Sequence, residues 1–286
     1  MRDTPTECHK PLLQSPAFAA ALRACGQDPV ILPGGLLVLR RRFLGLRLAM
    51  LPRAVPPPDL LAQLREAGLQ NLPLILSPET PCPLPPAWKL RTPQMLAKVD
   101  LRPPPVRRRA ALHGKWRNQL RRAEGAELGV SHAPLPADPH HPLLLADAAQ
   151  ARQRGYRNWP ARLTAAFAAA APDQTRLFTA HHRGRPVAHM LFLRHGNAAT
   201  YHIGNICSAG KALQAHNLLL WQASLWLAEQ GHDLLDLGPV CAAAPGLARF
   251  KTRAGASLVP TGGTWLRWQP LRDRRATCAA PGHALY

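Results

Sequence analysis

Acidic residues are scarce in this chain: 16 Asp and Glu stand against 36 Lys and Arg, leaving a formal net charge of +20 over 286 residues. Lysine is scarce as well. Only Lys10, Lys89, Lys98, Lys115, Lys211 and Lys251 are lysines, so the other 30 of the 36 cations are arginine. A field of that sign concentrates phosphate-rich partners such as nucleic acid, nucleotide or anionic lipid. The alternative is compositional, because Ala, Leu and Pro are also over-used, as a GC-rich coding bias would produce.

Closely spaced cysteines are missing too. The six (Cys8, Cys25, Cys82, Cys207, Cys241 and Cys278) are far apart and form no Cys-x-x-Cys pair, which argues against a zinc site and against a disulfide framework. No metal is expected, and a reducing cytoplasm fits. The opening "MRDTPTECHKPLLQ" has no apolar core of signal-peptide length, and no run of about 18 uncharged apolar residues follows. Neither secretion nor a transmembrane segment is therefore expected. The length suits two ordinary domains, each with its own core.

Along the chain, "LLVLRRRFLGLRLAMLPR" (36–53) predicts a hairpin broken near Leu44 and Gly45. Asp59 is placed to cap a helix "LLAQLREAG" that Gly68 closes, and "LPLILSP" predicts a buried strand. Strand, strand, helix, strand is an α/β beginning. Proline-rich seams follow at "PCPLPPAW", "RPPPVRRR" and "SHAPLPADPHHP". The last of these divides the chain into domains 1–135 and 140–286. Residues 143–171 predict two helices broken at Trp159-Pro160, and 176–205 predict three strands with turns at Arg183-Gly184 and His195-Gly196-Asn197. A long helix over 209–230, a strand over 234–237, a short helix near 246–253 and a last strand in "SLVPTGGTWLRW" complete a mixed α/β pattern.

Three stretches carry chemistry. In "LHGKWRNQLRRAE", Leu112, Trp116, Leu120 and Ala123 form one apolar stripe, while Arg117 and Arg121 lie one turn apart on another face with Lys115 and Arg122 nearby. Such arginines can grip phosphate oxygens with forked donors, or simply form a solvated face. In "YHIGNICSAGKALQAHN", a strand runs through a small-residue loop into an apolar helix. Ser208, Gly210 and Lys211, with His216 and Asn217 beyond them, are candidates to hold an anionic donor at the helix start. Ser208 could equally be an N-cap, and His202 and His216 are candidates either for proton transfer or for packing. In "DLLDLGPVCAAAPGLARFKTRAGA", Asp236 interrupts an otherwise apolar strand, so it either faces a cleft or accepts hydrogen bonds from the turn after it. Three of the six lysines fall in these stretches, which suggests a demand for compact point charges.

The helix "KWRNQLRRAE", the strand "TYHIGN", the segment "AHNLLLWQASLWLAEQGHDLLDLG" and the ending "PGLARFKTRAGA" resemble, in order and spacing, the Fem-type branch of the GNAT acyltransferase superfamily. The resemblance is dense over 112–265 and weaker over the first hundred residues. It implies two GNAT-like lobes in tandem, the N-terminal one degenerate, with an amine-bearing acceptor held near the lobe interface. The implied activity is N-acyl transfer. Phe250 and Lys251 match the family's Phe-Lys pair, whose lysine stabilises charge on the acyl carbonyl, and Asp236 to Gly238 match its Asp-Leu-Gly strand end. Asp236 or His202 would then take the amine proton. The coenzyme A loop Gln/Arg-x-x-Gly-x-Gly/Ala is not spelled by "NICSAGKALQ", and the helical hairpin inserted in some Fem-type enzymes is not present. Aminoacyl-tRNA is favoured slightly over acyl-CoA as donor substrate, with Lys115, Arg117 and Arg121 as its phosphate contacts. The alternatives are an acetyl-CoA-dependent N-acetyltransferase and a non-catalytic RNA-binding protein. A cytoplasmic monomer is expected.

Overall fold

A computed structural model describes residues 9–268, so Cys8 and Cys278 lie outside the described residues. The chain opens with α1 (Pro16–Ala24), whose Ser15 cap accepts a hydrogen bond from the Phe18 amide at 3.2 Å. Strand β1 (Val30–Leu32) pairs antiparallel with β2 (Leu36–Phe43), which turns into β3 (Leu46–Pro52) through Leu44 and Gly45 at φ 47° and 80°. That is the hairpin the alternating leucines and arginines predict. Helix α2 (Leu60–Glu66) then returns the chain to β4 (Leu74–Ser77), parallel to β3. Asp59 does sit at the cap of α2, yet its carboxylate accepts from the Gln63 side chain rather than from a backbone amide.

Next come β5 (Trp88–Arg91), β6 (Met95–Asp100), α3 (Pro105–Ala111), α4 (Gly114–Glu124) and β7 (Leu128–Ala133). The four apolar residues of the α4 stripe, Leu112, Trp116, Leu120 and Ala123, are all buried, as their spacing predicts. Helices α5 (Pro142–Arg154) and α6 (Ala161–Ala170) follow, separated by the loop that carries Trp159-Pro160. Three antiparallel strands β8 (Thr175–His182), β9 (Arg185–His195) and β10 (Ala198–Ile206) lead into α7 (Ser208–Ala212) and α8 (Ala215–Glu229). The chain ends with β11 (Leu234–Pro239), α9 (Pro245–Arg253), β12 (Ser257–Pro260) and β13 (Thr264–Arg267).

Two expectations need correction. The single helix over 209–230 is two, because Gln214 adopts φ 56° between α7 and α8. A left-handed residue other than Gly costs about 1–2 kcal/mol; here the Gln214 side-chain amide bonds the Lys211 carbonyl at 3.0 Å, a partner no helix-breaking residue type advertises. The "SLVPTGGTWLRW" strand is likewise two, β12 and β13, and they belong to different sheets.

Strands β1, β2, β3, β4, β13 and β5 form one mixed sheet, and β12, β6, β11, β10, β9, β8 and β7 form the other. Strands β6 and β7 thus lie in the seven-stranded sheet with the later strands, and β13 lies in the six-stranded sheet with the earlier ones. Of the proline seams, the one around Pro104 leads directly into α3 and the one after Ser131 follows the end of β7. One face of the seven-stranded sheet packs on α4 and α8, the other on α1, α5 and α6, and α2 covers the first sheet. No helix among the described residues is long and apolar enough to cross a membrane.

Strands β10 and β11 are parallel but paired only over Ala198, Ala199 and Thr200 opposite Leu234, Leu235 and Asp236. Beyond that point β10 stays with β9 while β11 follows β6 around a bulge, so the two strands part and open a wedge in the middle of the sheet. Where β10 leaves the wedge, α7 presses onto β9: a Cβ on Gly210 would lie 2.4 Å from the Val187 carbonyl oxygen. Gly210→Ala should therefore lower stability by about 1–3 kcal/mol, the usual cost of overpacking, read as a fall in thermal midpoint. An unchanged midpoint would mean that α7 is not held against β9.

Candidate functional site

The wedge sets the site. Asp236 is the last residue of β11 paired to β10, and the bulge after it sets Asp236 opposite Lys98 and Pro239 opposite Leu96 on β6. Gly238 supplies the positive φ, 79°, that such a bulge demands. The Asp236 carboxylate fixes the bend, since Oδ1 accepts from the Gly238 amide at 2.6 Å. Its other oxygen, Oδ2, accepts from Arg53 Nη2 at 2.9 Å, and Arg53 follows β3 in the other lobe. Of the two alternatives for Asp236, the bond from the turn is the one seen, and its second oxygen is taken up by an ion pair with Arg53.

Arg53 has a left-handed backbone, φ 53°, which only a supporting environment maintains in a non-glycine residue. Its guanidinium also pairs with Glu79, just past β4, and Glu79 accepts from Lys98 Nζ at 2.6 Å. A chain of charges therefore runs Lys98, Glu79, Arg53, Asp236 across the junction of the two lobes. Glu79 lies between two cations and Asp236 against one, so no charge in the row is left without an opposite neighbour.

Lys251, on α9, closes the other side of the bulge. It is 5% exposed, and its Nζ donates to the Pro239 carbonyl at 3.0 Å, close to Gly238, where a Cβ would lie 3.6 Å from it. Burial pushes its ammonium down to about 8, partly opposed by the charge of Asp236. An ammonium so desolvated acts strongly on any negative charge that forms beside it.

On the α8 face of the wedge, the Tyr201 side chain folds over Gly204, where a Cβ would lie 1.9 Å from the hydroxyl. Burial raises the Tyr201 phenol well above its ordinary value, so it stays protonated and able to donate. His216 packs at 6.3 Å from the Phe250 ring and holds the Asn205 carbonyl through Nε2 at 3.1 Å, and burial lowers its pKa. Phe250 in turn lies 6.0 Å from Trp116. Tyr201, His216 and Phe250 thus line an aromatic wall beside the strand end that Lys251 guards.

The other predicted residues scatter. His202 sits at the β10 bulge, bonded to Thr164 at 3.1 Å and packed 4.7 Å from Trp159; burial pushes it down to about 4, and no hydrogen bond joins it to Asp236 or Lys251. Asn217 is buried between α8 and α4, 3.5 Å from the Gln119 side chain. Cys207, not Ser208, occupies the N-cap of α7; Ser208 and Lys211 are exposed there, while Gly210 serves close packing. Lys115 and Arg121 are exposed on α4, and Arg117 is half-buried, reaching the Ala110 carbonyl at 3.4 Å. No cluster of three or more His, Cys, Asp or Glu suited to a metal occurs among the described residues.

Sequence reasoning missed Arg53, Glu79, Lys98 and Tyr201. Only Lys98 carried a signal, as one of six lysines in an arginine-rich chain. Arg53 and Glu79 belong to loop ends whose approach to Asp236 depends on how the lobes meet.

A family model for the acetyltransferase (GNAT) domain matches residues 107–252, more than half of the chain. No curated protein matches. Among solved structures, FemX aligns with a TM-score of 0.72 at 11% identity, covering 93% of this chain and 94% of its own. A conserved protein of unknown function from Bacteroides thetaiotaomicron aligns at 0.61 with 14% identity, covering 91% of both chains. L-PGS from Bacillus licheniformis aligns at 0.53 with 10% identity, covering 90% of this chain and 92% of that one. The family match over more than half of the chain shows that it belongs to the GNAT acyltransferase superfamily, and the alignment with FemX shows a shared fold.

Proposed function

We propose that this acyltransferase carries an acyl or aminoacyl group from an activated donor to an amine acceptor in the β10–β11 wedge, with aminoacyl-tRNA as the preferred donor. The observation that carries the reading is the buried Lys251 ammonium at the point where the parallel strands part. An amine nitrogen attacks the acyl carbonyl carbon; the new C–N bond forms, the C–O bond to the donor breaks, and the amine proton ends on the leaving oxygen. Lys251 stabilises the oxyanion of the tetrahedral intermediate. Asp236, with Gly238 and Arg53 already on its two oxygens, holds the bulge that aims Lys251 and acts as a positioning residue. We assign no proton transfer to His202, whose ring is held by Thr164 and Trp159.

Two observations favour aminoacyl-tRNA. Gly210 is taken up by contact with the Val187 carbonyl and does not open the α7 turn into a cradle for a pyrophosphate. Arg121 and Lys115 stand exposed on α4, available to phosphate oxygens. Exposed Ser208 and Lys211 favour the second reading, an acyl-CoA donor.

Lys251→Ala should cost about a hundred- to a thousandfold in turnover while the thermal midpoint stays close to that of the parent. Turnover within a few-fold would remove Lys251 from the reaction. In the parent, kcat/KM should fall as pH rises through about 8, where Lys251 loses its proton. Stability should move the other way. Folding lowers this proton affinity from 10.5 to about 8, so between those values the unfolded chain binds more protons, and the site's contribution to stability rises with pH. A kcat/KM that stays level as pH rises through 8 to 10, in a protein still folded there, would contradict a charged Lys251 in the transition state.

Donor choice is read by retention of aminoacyl-tRNA, deacylated tRNA or acetyl-CoA. Changing Arg117 and Arg121 together to Gln should weaken tRNA retention and flatten its salt dependence by up to about two contacts, leaving acetyl-CoA untouched. Micromolar retention of acetyl-CoA with none of tRNA would reverse the preference.

A further inference from the structure

Away from the wedge, the turn between β2 and β3 turns three large apolar side chains to solvent. Phe43 is 64%, Leu44 87% and Leu46 57% exposed, and none of them joins the three buried apolar clusters. The turn ends a ribbon that leaves its sheet: β1 pairs with β2 only as far as Val38, and β4 pairs with β3 only from Ala49, so residues 40–48 have no third strand beside them. Two strands without a buried face are marginal in water.

The residues of this ribbon weaken it further. Leu44 takes φ 47° before Gly45 at 80°, a pair of left-handed conformations that Asn-Gly or Asp-Gly adopts more readily than Leu-Gly. Arg42 stands directly opposite Arg47, and like charges so placed repel. Exposed leucines, a β-turn with the wrong residue type and an arginine pair across the strands all work against folding. One partner would make use of all three.

Charge defines that partner. Arg40, Arg41, Arg42 and Arg47 line a depression of about 440 Å³ behind the tip, and Asp28 is the one carboxylate among its lining residues. Arg40 donates to Asp28 at 2.7 Å and Arg41 to the Gln27 side chain, whereas Arg42 and Arg47 have no acidic partner among the described residues. A bilayer carrying anionic lipid matches both parts of this surface, since its hydrocarbon takes the apolar tip while its phosphates meet the arginines. A nucleic acid strand would engage the arginines and stack on Phe43, yet it gives two exposed leucines no apolar surroundings.

We propose that the β2–β3 tip docks on an anionic membrane surface, with Phe43, Leu44 and Leu46 below the headgroups and Arg42 and Arg47 on their phosphates. Strand β3 carries the tip at one end and leads to Arg53 at the other, a strand length of about 24 Å. The docking surface is thus separate from the wedge and does not rest on the transferase reading.

The full chain is sedimented with vesicles of equimolar phosphatidylserine and phosphatidylcholine, and with vesicles of phosphatidylcholine alone. It should bind the second about tenfold or more weakly than the first, and the difference should shrink as salt rises. Two variants, both at exposed positions, read the two parts of the surface. Arg42→Gln with Arg47→Gln should weaken binding to the anionic vesicles about tenfold or more and reduce its salt dependence. Leu44→Asn with Leu46→Ser should weaken it by a similar factor and leave the salt dependence as it was, while the thermal midpoint holds or rises because Asn-Gly suits the turn. Failure to bind anionic vesicles, equal binding to phosphatidylcholine alone, or binding unchanged in either variant would overturn the proposal. So would tip substitutions that weaken retention of single-stranded RNA and spare vesicle binding, which would assign the surface to nucleic acid.

Discussion

The Asp236 carboxylate is the constraint on which this architecture turns. On one side it grips the Gly238 amide and so fixes the bulge at which β11 leaves β10; on the other it reaches Arg53 in the opposite lobe. Local backbone geometry and lobe contact are thereby set by the same two oxygens. Neither half suffices alone. Without the bulge, β11 would continue beside β10 and no wedge would exist; without Arg53, a partly buried carboxylate would face the junction uncompensated, which is unfavourable unless it takes up a proton. Glu79 and Lys98 extend the same balance, so four charges from two lobes stabilise one strand end.

Strand exchange reinforces this coupling. Strand β6 leaves the N-terminal half to pair with β11 and β12, and β13 returns to lie between β4 and β5. The chain thus crosses between the lobes in both directions, and each sheet holds a strand from the other half of the sequence. Lys98, on β6, belongs to the exchanged strand and carries its charge into the row beside Arg53.

What could be read from sequence followed from local rules. The hairpin at Leu44 and Gly45, the buried stripe of α4 and the singular status of Asp236 and Lys251 all depend on residues close together in the chain. So did the retained lysine at position 251, since a buried point charge is a demand that arginine meets poorly. The failures were of two kinds. Gln214 breaks a helix that its neighbours would continue, because its own side chain bonds the preceding turn. Arg53 and Glu79 lie 183 and 157 residues from Asp236, counted along the chain, and nothing in their surroundings announces the meeting. Ser208, Gly210 and Asn217 were chosen for residue type; in the fold Gly210 lies close against the Val187 carbonyl and Asn217 lies 3.5 Å from the Gln119 side chain.

The arginine excess also divides once contacts are known. Arg108 and Arg109 lie over the Trp221 ring, and Arg176 and Arg194 over Trp226, at 4.6–5.9 Å. Arg40, Arg102 and Arg109 pair with Asp28, Asp100 and Glu124. These positions use the guanidinium as a packing surface or an ion-pair partner, and they explain a part of the charge without any polyanion. Arg121 and Arg122 differ: they stand exposed in the last turn of α4, with no acidic partner among the described residues. Net charge alone could not separate a coding bias from a binding surface, because both arginine populations count equally in it. Location can, and it confines the surface available to phosphate on this helix to Lys115, Arg121 and Arg122, with Arg117 half-withdrawn toward α3.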